Sequence, residues 1–163
     1  KVPLNAIQAE LKKKRKAAIV TTTDNKAAIR DADVVICAAS TTASFLDQSW
    51  FKPQAIVCDA GYPHNVHLTC DDKEQDLFLF TGGLARTPSP LQFPGDLGLP
   101  DANTVFGAFA EAMILDLEKR YESFSWGRGN ITPAKIDEIR KLGHKHGFRV
   151  SDFYWAGRSL TAV

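Results

Sequence analysis

The stretch DVVICAAS, residues 33–40, decides the fold. Its apolar residues run on without the alternation of a half-exposed strand, and a short continuous run of this kind reads as a strand covered on both faces, as in parallel sheets. Three stretches of related character surround it: AAIVTT at 17–22, AIVCDAG at 55–61 and LFLFTGG at 77–83. Strands separated by crossovers and followed by helices predict an α/β fold with a parallel sheet. In such sheets a ligand sits outside the carboxyl ends of the strands. Those ends are Ala38-Ala39-Ser40-Thr41-Thr42, Asp59-Ala60-Gly61-Tyr62-Pro63 and Thr81-Gly82-Gly83-Leu84. All three are small and polar, which leaves room for a ligand to come close to the backbone.

The segments between the strands fill in the rest. Leu4, Ile7 and Leu11 recur at helical steps, so residues 5–14 read as a helix ending in the basic cluster Lys12-Lys13-Lys14-Arg15-Lys16. Cations suit the negative end of a helix dipole, which makes a solvated helix end the plain reading and a phosphate or nucleic-acid patch its rival. Asp24 is placed to cap a brief helix over 25–30, and residues 45–51 predict a short helix before Pro53. Residues 66–76 form a polar, acidic crossover, and the Pro- and Gly-rich residues 84–102 predict a long shaped loop without regular structure. Residues 103–127 then read as one long helix with Phe106, Phe109, Met113 and Leu117 on its buried stripe. Glu111 interrupts that apolar run, and a carboxylate there needs hydrogen-bond partners or a role in a site. Thr132 and Pro133 open a last helix with Ile136, Ile139 and Leu142 on its apolar side, ended by Gly143 or Gly147. The tail Phe153-Tyr154-Trp155 is apolar enough to pack on a surface.

Composition bounds the function. A chain of 163 residues with 44% hydrophobic and 24% charged residues can bury a full core, and a net charge of +1 speaks against nucleic acid as a partner. No apolar run approaches the roughly 20 residues of a membrane span. No signal peptide is visible, and three cysteines without close pairing offer neither a disulfide framework nor zinc spacing, so a reducing cytoplasmic compartment is the expectation. The first residue is Lys, not Met, which fits a start inside a longer protein. His64 and His67 form an H-x-x-H without a third ligand, and no metal site is expected.

The small, polar strand ends are the pattern of the nicotinamide half of a dinucleotide-binding fold. A whole site of that kind needs a Gly-rich turn between its first strand and helix to hold a pyrophosphate, and no G-x-G-x-x-G occurs here. Gly127-Arg128-Gly129 follows a helix, not a strand. The expectation is therefore a Rossmann-like NAD(P)-binding domain lacking its first βαβ portion over residues 1–100, with a C-terminal helical segment over 101–163 that packs on it and on an upstream N-terminal domain.

Several motifs carry a family likeness: Asp59-Ala60-Gly61-Tyr62-Pro63-His64-Asn65, Thr81-Gly82-Gly83, FGAFAEAM at 106–113 and Phe124-Ser125-Trp126-Gly127-Arg128. With Gln8-Ala9-Glu10-Leu11 near the start, they resemble the aldehyde-forming long-chain acyl-carrier-protein reductases from about residue 5 to about 148. The resemblance implies a shikimate-dehydrogenase-like Rossmann domain, NADP (or NAD) as cofactor, and a small-molecule or acyl-carrier substrate. On that reading Ser40, Thr41, Gly61, Tyr62, Gly82 and Gly83 bind the cofactor, and Glu111, His64 and Tyr62 are the candidates for catalysis.

One position departs from the family. Its nucleophilic cysteine lies in a motif of the form F-A-C-F-A-E-A-M, where this chain has Gly107-Ala108 in place of Ala-Cys. A thiolate can form and release an acyl-enzyme; an alanine methyl can do neither. Cys37 and Cys58 lie in apolar strands and Cys70 in an acidic loop, so none replaces it. Two functions follow: an NAD(P)H-dependent oxidoreductase acting on a carbonyl or thioester, or a non-catalytic Rossmann-like binding or scaffold module that has lost the nucleophile.

Overall fold

A computed structural model of the chain describes residues 4–14, 17–67, 76–127 and 130–160. Cys70, Arg128 and most of the acidic crossover lie outside the described residues. The chain divides into two compact units, one of Lys1–Val57 and Gly61–Phe78, the other of Cys58–Ala60 and Leu79–Val163.

The first helix, α1 (Leu4–Lys14), forms where its periodicity predicts. The strand expected at 17–22 does not form. A strand needs a ladder partner for its backbone groups, and here the Ile19 carbonyl accepts from the Gln8 side-chain amide at 2.5 Å. Helix α2 (Asn25–Ile29) starts where Asp24 accepts from the Ala27 N–H at 3.0 Å, as the cap predicts.

Strands β1 (Val34–Cys37), β2 (Ile56–Asp59) and β3 (Phe78–Thr81) make a three-stranded parallel sheet in the order β1-β2-β3. Backbone bonds from Ile56 N–H to the Asp33 carbonyl at 2.9 Å and from Phe78 N–H to the Ala55 carbonyl at 3.0 Å register its entry. The α/β expectation with a parallel sheet holds. Cover on both faces does not: Cys37, Val57 and Leu79 are buried, but Val34 is 60% and Ile36 72% exposed, with Ile56 and Phe78 also in the open. The helix expected at 45–51 shrinks to a single 3₁₀ turn, Gln48–Trp50. Phe45 and Leu46 are held extended instead, both N–H groups donating to the Asn65 carbonyl at 2.9 Å while Leu46 bridges Val66.

In the second unit β4 (Leu84–Arg86) lies between β5 (Thr104–Phe106) and β6 (Arg149–Val150), antiparallel to both. Residues 84–86 thus form a strand where a loop was expected, and residues 104–106 a strand where a helix was expected. The reason is shared: Leu84, Ala85 and Arg86 face Phe106, Val105 and Thr104, so each three-residue run supplies the other's ladder. Helix α3 (Gly107–Leu117) follows β5 directly. It stops ten residues short of the expected end because Lys119 adopts φ 56°, and the Lys119 and Arg120 N–H groups fold back onto the Asp116 and Leu115 carbonyls at 2.9 and 2.8 Å. That is the double bond of a Schellman cap, made here with lysine at the left-handed position.

Helix α4 (Pro133–Lys145) begins at its Thr132 cap and ends in the same motif with Gly147, φ 80°. Gly143 lies inside the helix, and a Cβ there would meet Ile114 Cδ1 at 3.3 Å, so the glycine lets α4 pack closely on α3. Val105, Ala110, Ile114 and Phe148 form the buried cluster between these elements. The tail does pack: β7 (Tyr154–Trp155) and β8 (Arg158–Ser159) form a hairpin, Tyr154 is buried, and Phe153 meets Phe80 edge-on with centroids 4.8 Å apart.

Candidate functional site

The segment after β1 and the segment after β2 are tied together by one side chain, Asn65, which is 0% exposed. Its Oδ1 accepts from the Ala39 N–H at 2.9 Å, and its Nδ2 donates to the Ala39 carbonyl at 3.0 Å and to Thr41 Oγ1 at 3.4 Å. An amide side chain is the one kind that can do this, because it presents donor and acceptor side by side like a strand neighbour. Ser44 Oγ adds a bond to the His64 carbonyl at 2.8 Å. The first unit therefore brings Ser40, Thr41, Gly61, Tyr62 and His64 into one neighbourhood. Ser40 and Tyr62 are exposed there, Thr41 and His64 half-buried, and Gly61 buried.

Gly61 is glycine for an internal reason. A Cβ on it would stand 2.5 Å from Asn65 Nδ2, so the residue makes room for the amide. Asn65 was missed in the sequence, although it ends the same DAGYPHN motif that contains the glycine.

The second unit holds the other predicted residues. The Gly82 N–H donates to the Asp59 carbonyl at 2.7 Å, and a Cβ on Gly82 would meet Cys58 Sγ at 2.5 Å. Gly83 takes φ 73° with open space where a side chain would be, and its carbonyl accepts from the Gly107 N–H at 2.7 Å. That bond sets the strand end against the first turn of α3. Ala108, one residue on, is exposed, and so is Phe109. Phe109 packs with Phe93 and Phe106, at centroid distances of 6.3 and 5.9 Å.

Glu111 finds the partner that its setting demands: Ser125 Oγ donates to its Oε1 at 2.7 Å. The FAEAM and FSWG motifs are thus bonded across the end of α3, and Ser125 is a second residue that the sequence reading passed over. Burial pushes the Cys58 thiol up, and the charge of Asp59 adds to it, so the thiolate is disfavoured; Cys37 is buried. His144 is exposed, while His146 Nε2 lies 2.5 Å from Glu118 Oε1, which also accepts from Lys145. Among the described residues no group of three or more His, Cys, Asp or Glu side chains is placed to hold a metal ion. No helix among them is long and apolar enough to cross a membrane.

Comparison with known proteins bears on this arrangement. No protein-family model matches the chain. Over 129 residues, 76% of this chain, it is 29% identical to the long-chain acyl-[acyl-carrier-protein] reductase of Synechococcus elongatus. Over 114 residues, 69% of this chain, it is 27% identical to the aminotransferase PigE of a Serratia species. These matches span 37% and 13% of the two relatives, so the chain corresponds to a part of each. The likeness read from the motifs stands on that footing: this α/β chain resembles a region of a long-chain acyl-[acyl-carrier-protein] reductase.

Proposed function

We propose that the chain is part of an NAD(P)H-dependent oxidoreductase that delivers hydride to a carbonyl or thioester carbon. The similarity to the reductase carries this reading. The paired strand ends support it, because small residues pinned outside a parallel sheet are where such folds take their ligands. Ser40, Thr41 and Tyr62 are the candidates for the dinucleotide in the first unit; Gly82 and Gly83 are the candidates in the second, each taken by itself. Gly61 acts one step removed, through the Asn65 amide it accommodates. When bound, the dinucleotide supplies the hydride; the chain's share is binding, orientation and exclusion of water. His64 and Tyr62 in the first unit, and Glu111 in the second, are the candidate proton-transfer groups of each unit. NADP is the first choice of cofactor, and an acyl carrier or small carbonyl compound the substrate.

Titration with NADPH and NADH, followed by nicotinamide fluorescence, tests the reading. A carboxylate at the strand end should repel a dinucleotide, so Ser40→Glu is expected to weaken binding about tenfold, roughly one charge contact in a partly screened site. Ser49→Glu, on the exposed 3₁₀ turn, should leave binding as it was. Equal effects of the two substitutions, or no binding of either dinucleotide, would remove the cofactor assignment.

Ala108 favours a second reading, in which the region binds without catalysing. Its methyl stands exposed on the first turn of α3, at the position that matches the family's cysteine. Ala108→Cys followed by an assay for aldehyde from acyl thioesters separates the two. Aldehyde from the alanine form as well would place the chemistry on other residues.

A further inference from the structure

The C-terminal hairpin is a small element of the second unit with little of its own to bury. Over residues 152–160 Tyr154 is buried, Trp155 and Leu160 are half-buried, and the rest are exposed. β7 and β8 pair with each other, and the Leu160 N–H donates to the Phe153 carbonyl at 2.9 Å, so the hairpin is closed on itself. Its turn runs through Ala156 at φ 48° and Gly157 at φ 77°, two left-handed residues as a tight hairpin requires. Just before it, the Ser151 N–H reaches the Leu84 carbonyl of β4 over a long 3.3 Å.

A polar cluster around one ring fastens the hairpin. The Tyr154 hydroxyl donates to Asp101 Oδ2 at 3.0 Å, while Arg86 Nη1 donates to that hydroxyl at 3.4 Å and to Asp152 Oδ2 at 3.2 Å. Arg86, Asp101 and Asp152 are each partly in water. Phe153 adds its edge-on contact with Phe80. The α3–α4 region is held differently, by the buried cluster of Val105, Ala110, Ile114 and Phe148. A segment with one buried ring opens locally at far lower cost than a packed core does.

The hairpin's position gives such an opening a consequence. Phe80 and Gly82 are two residues apart and so share a face, and the Gly82 N–H extends the ladder beyond β3 by donating to the Asp59 carbonyl. A Cβ on Gly82 would stand 2.5 Å from Cys58 Sγ, which places that thiol beside the glycine. Phe153, seated on Phe80, therefore covers the position next to Gly82 on this face.

We infer that residues 152–160 are a latched strap, hinged at Ser151, which opens as a unit while α3 and α4 stay folded and so uncovers Phe80 and the strand end at Gly82. The latch is the Tyr154 hydroxyl on Asp101 and Arg86. The strap is drawn from the second unit alone and stands whether or not the chain is an oxidoreductase.

Native-state hydrogen exchange of the 163-residue chain, together with the rate at which iodoacetamide alkylates Cys58, read on its own peptide, tests the inference. The Leu160 amide should be protected, yet exchange about a hundredfold or more faster than the Leu115 amide of α3. Tyr154→Phe removes a hydrogen bond to a charged group and should speed both Leu160 exchange and Cys58 alkylation about tenfold, with Leu115 unchanged. Phe153→Ala should speed both several-fold. Lys141→Ala, on the exposed side of α4, should change neither. An unprotected Leu160 amide, exchange of Leu160 in step with Leu115, or Leu160 exchange unmoved by both strap variants would overturn the strap. Alkylation of Cys58 at the parent rate in both variants would overturn the uncovering of the strand end.

Discussion

Two short strands meet opposite fates. β1, VVIC, has no polar residue, yet Val34 and Ile36 stand in water. β5, TVF, is less apolar, yet Thr104 and Val105 are both 0% exposed. The difference lies in the neighbours. β5 lies against β4 and runs straight into α3, which packs on α4, so its side chains are covered on several sides by elements close in sequence. Among the described residues, the outer face of β1 and β2 has no such cover. An apolar run states what a strand can bury; the packing of other elements states what it does bury.

That contrast can be broken or sharpened by substitution. The largest effect is expected at Ile114, buried between α3 and α4: Ile114→Ala should cost about 2–5 kcal/mol in urea denaturation, from lost burial plus the cavity left behind. A loss below about 1 kcal/mol would mean that the two helices are loosely joined. Asn65→Ala should cost about 1–3 kcal/mol, because it strands the Ala39 N–H and carbonyl without their partner. Leu is no better there, since the amide is what the site requires; equal stability of Asn65→Leu and the parent would refute the pin.

Acid should act through Asp101. Burial alone would raise its pKa, but hydrogen bonds from the Thr104 hydroxyl, the Asn103 N–H and the Tyr154 hydroxyl, with Arg86 nearby, hold it below the ordinary carboxylate value. A depressed folded-state pKa contributes stability that is complete above the unfolded value, about 3.9, and is lost as pH falls through the folded one. Melting curves should therefore weaken below about pH 4, and Asp101→Asn should flatten that acid limb. A limb unchanged by the substitution would assign the acid sensitivity to other carboxylates.

Thr132→Ala removes the α4 cap and should cost about 1 kcal/mol by the same urea measurement. The smallest effect belongs to the exposed strand: Ile36→Ser should change stability by no more than about 0.5 kcal/mol. A cost comparable with that at Ile114 would show that the β1 face is covered in solution.

The capped helix starts were legible because a cap is a local event. Asp24 and Thr132 need only the next three residues to do their work, and both do it. Helix ends were legible only where glycine marked them. The ends of α3 and α4 have the same two backbone bonds, but one uses Gly147 and the other Lys119, and lysine carries no sign of the left-handed turn that it makes. The strands β4 and β5 were hidden for a different reason. Each is three residues long, and each is a strand only because the other lies beside it.

The candidate site divides along the same line. The small residues at 40–41, 61 and 82–83 could be read from the chain, as could the puzzle of Glu111 and the family likeness that surrounds it. Asn65 and Ser125 could not, because each acts on a partner brought to it by folding: 26 residues away in one case and 14 in the other. By itself the sequence determined the α/β class, the caps, three of the four expected apolar strands and the motifs, all of which depend on residues within a turn or two of one another. Only the tertiary structure decided which apolar faces meet water, why Gly61 and Gly82 lack side chains, and which serine answers Glu111. Those outcomes depend on distant backbone and side-chain atoms competing for the same few ångströms of space.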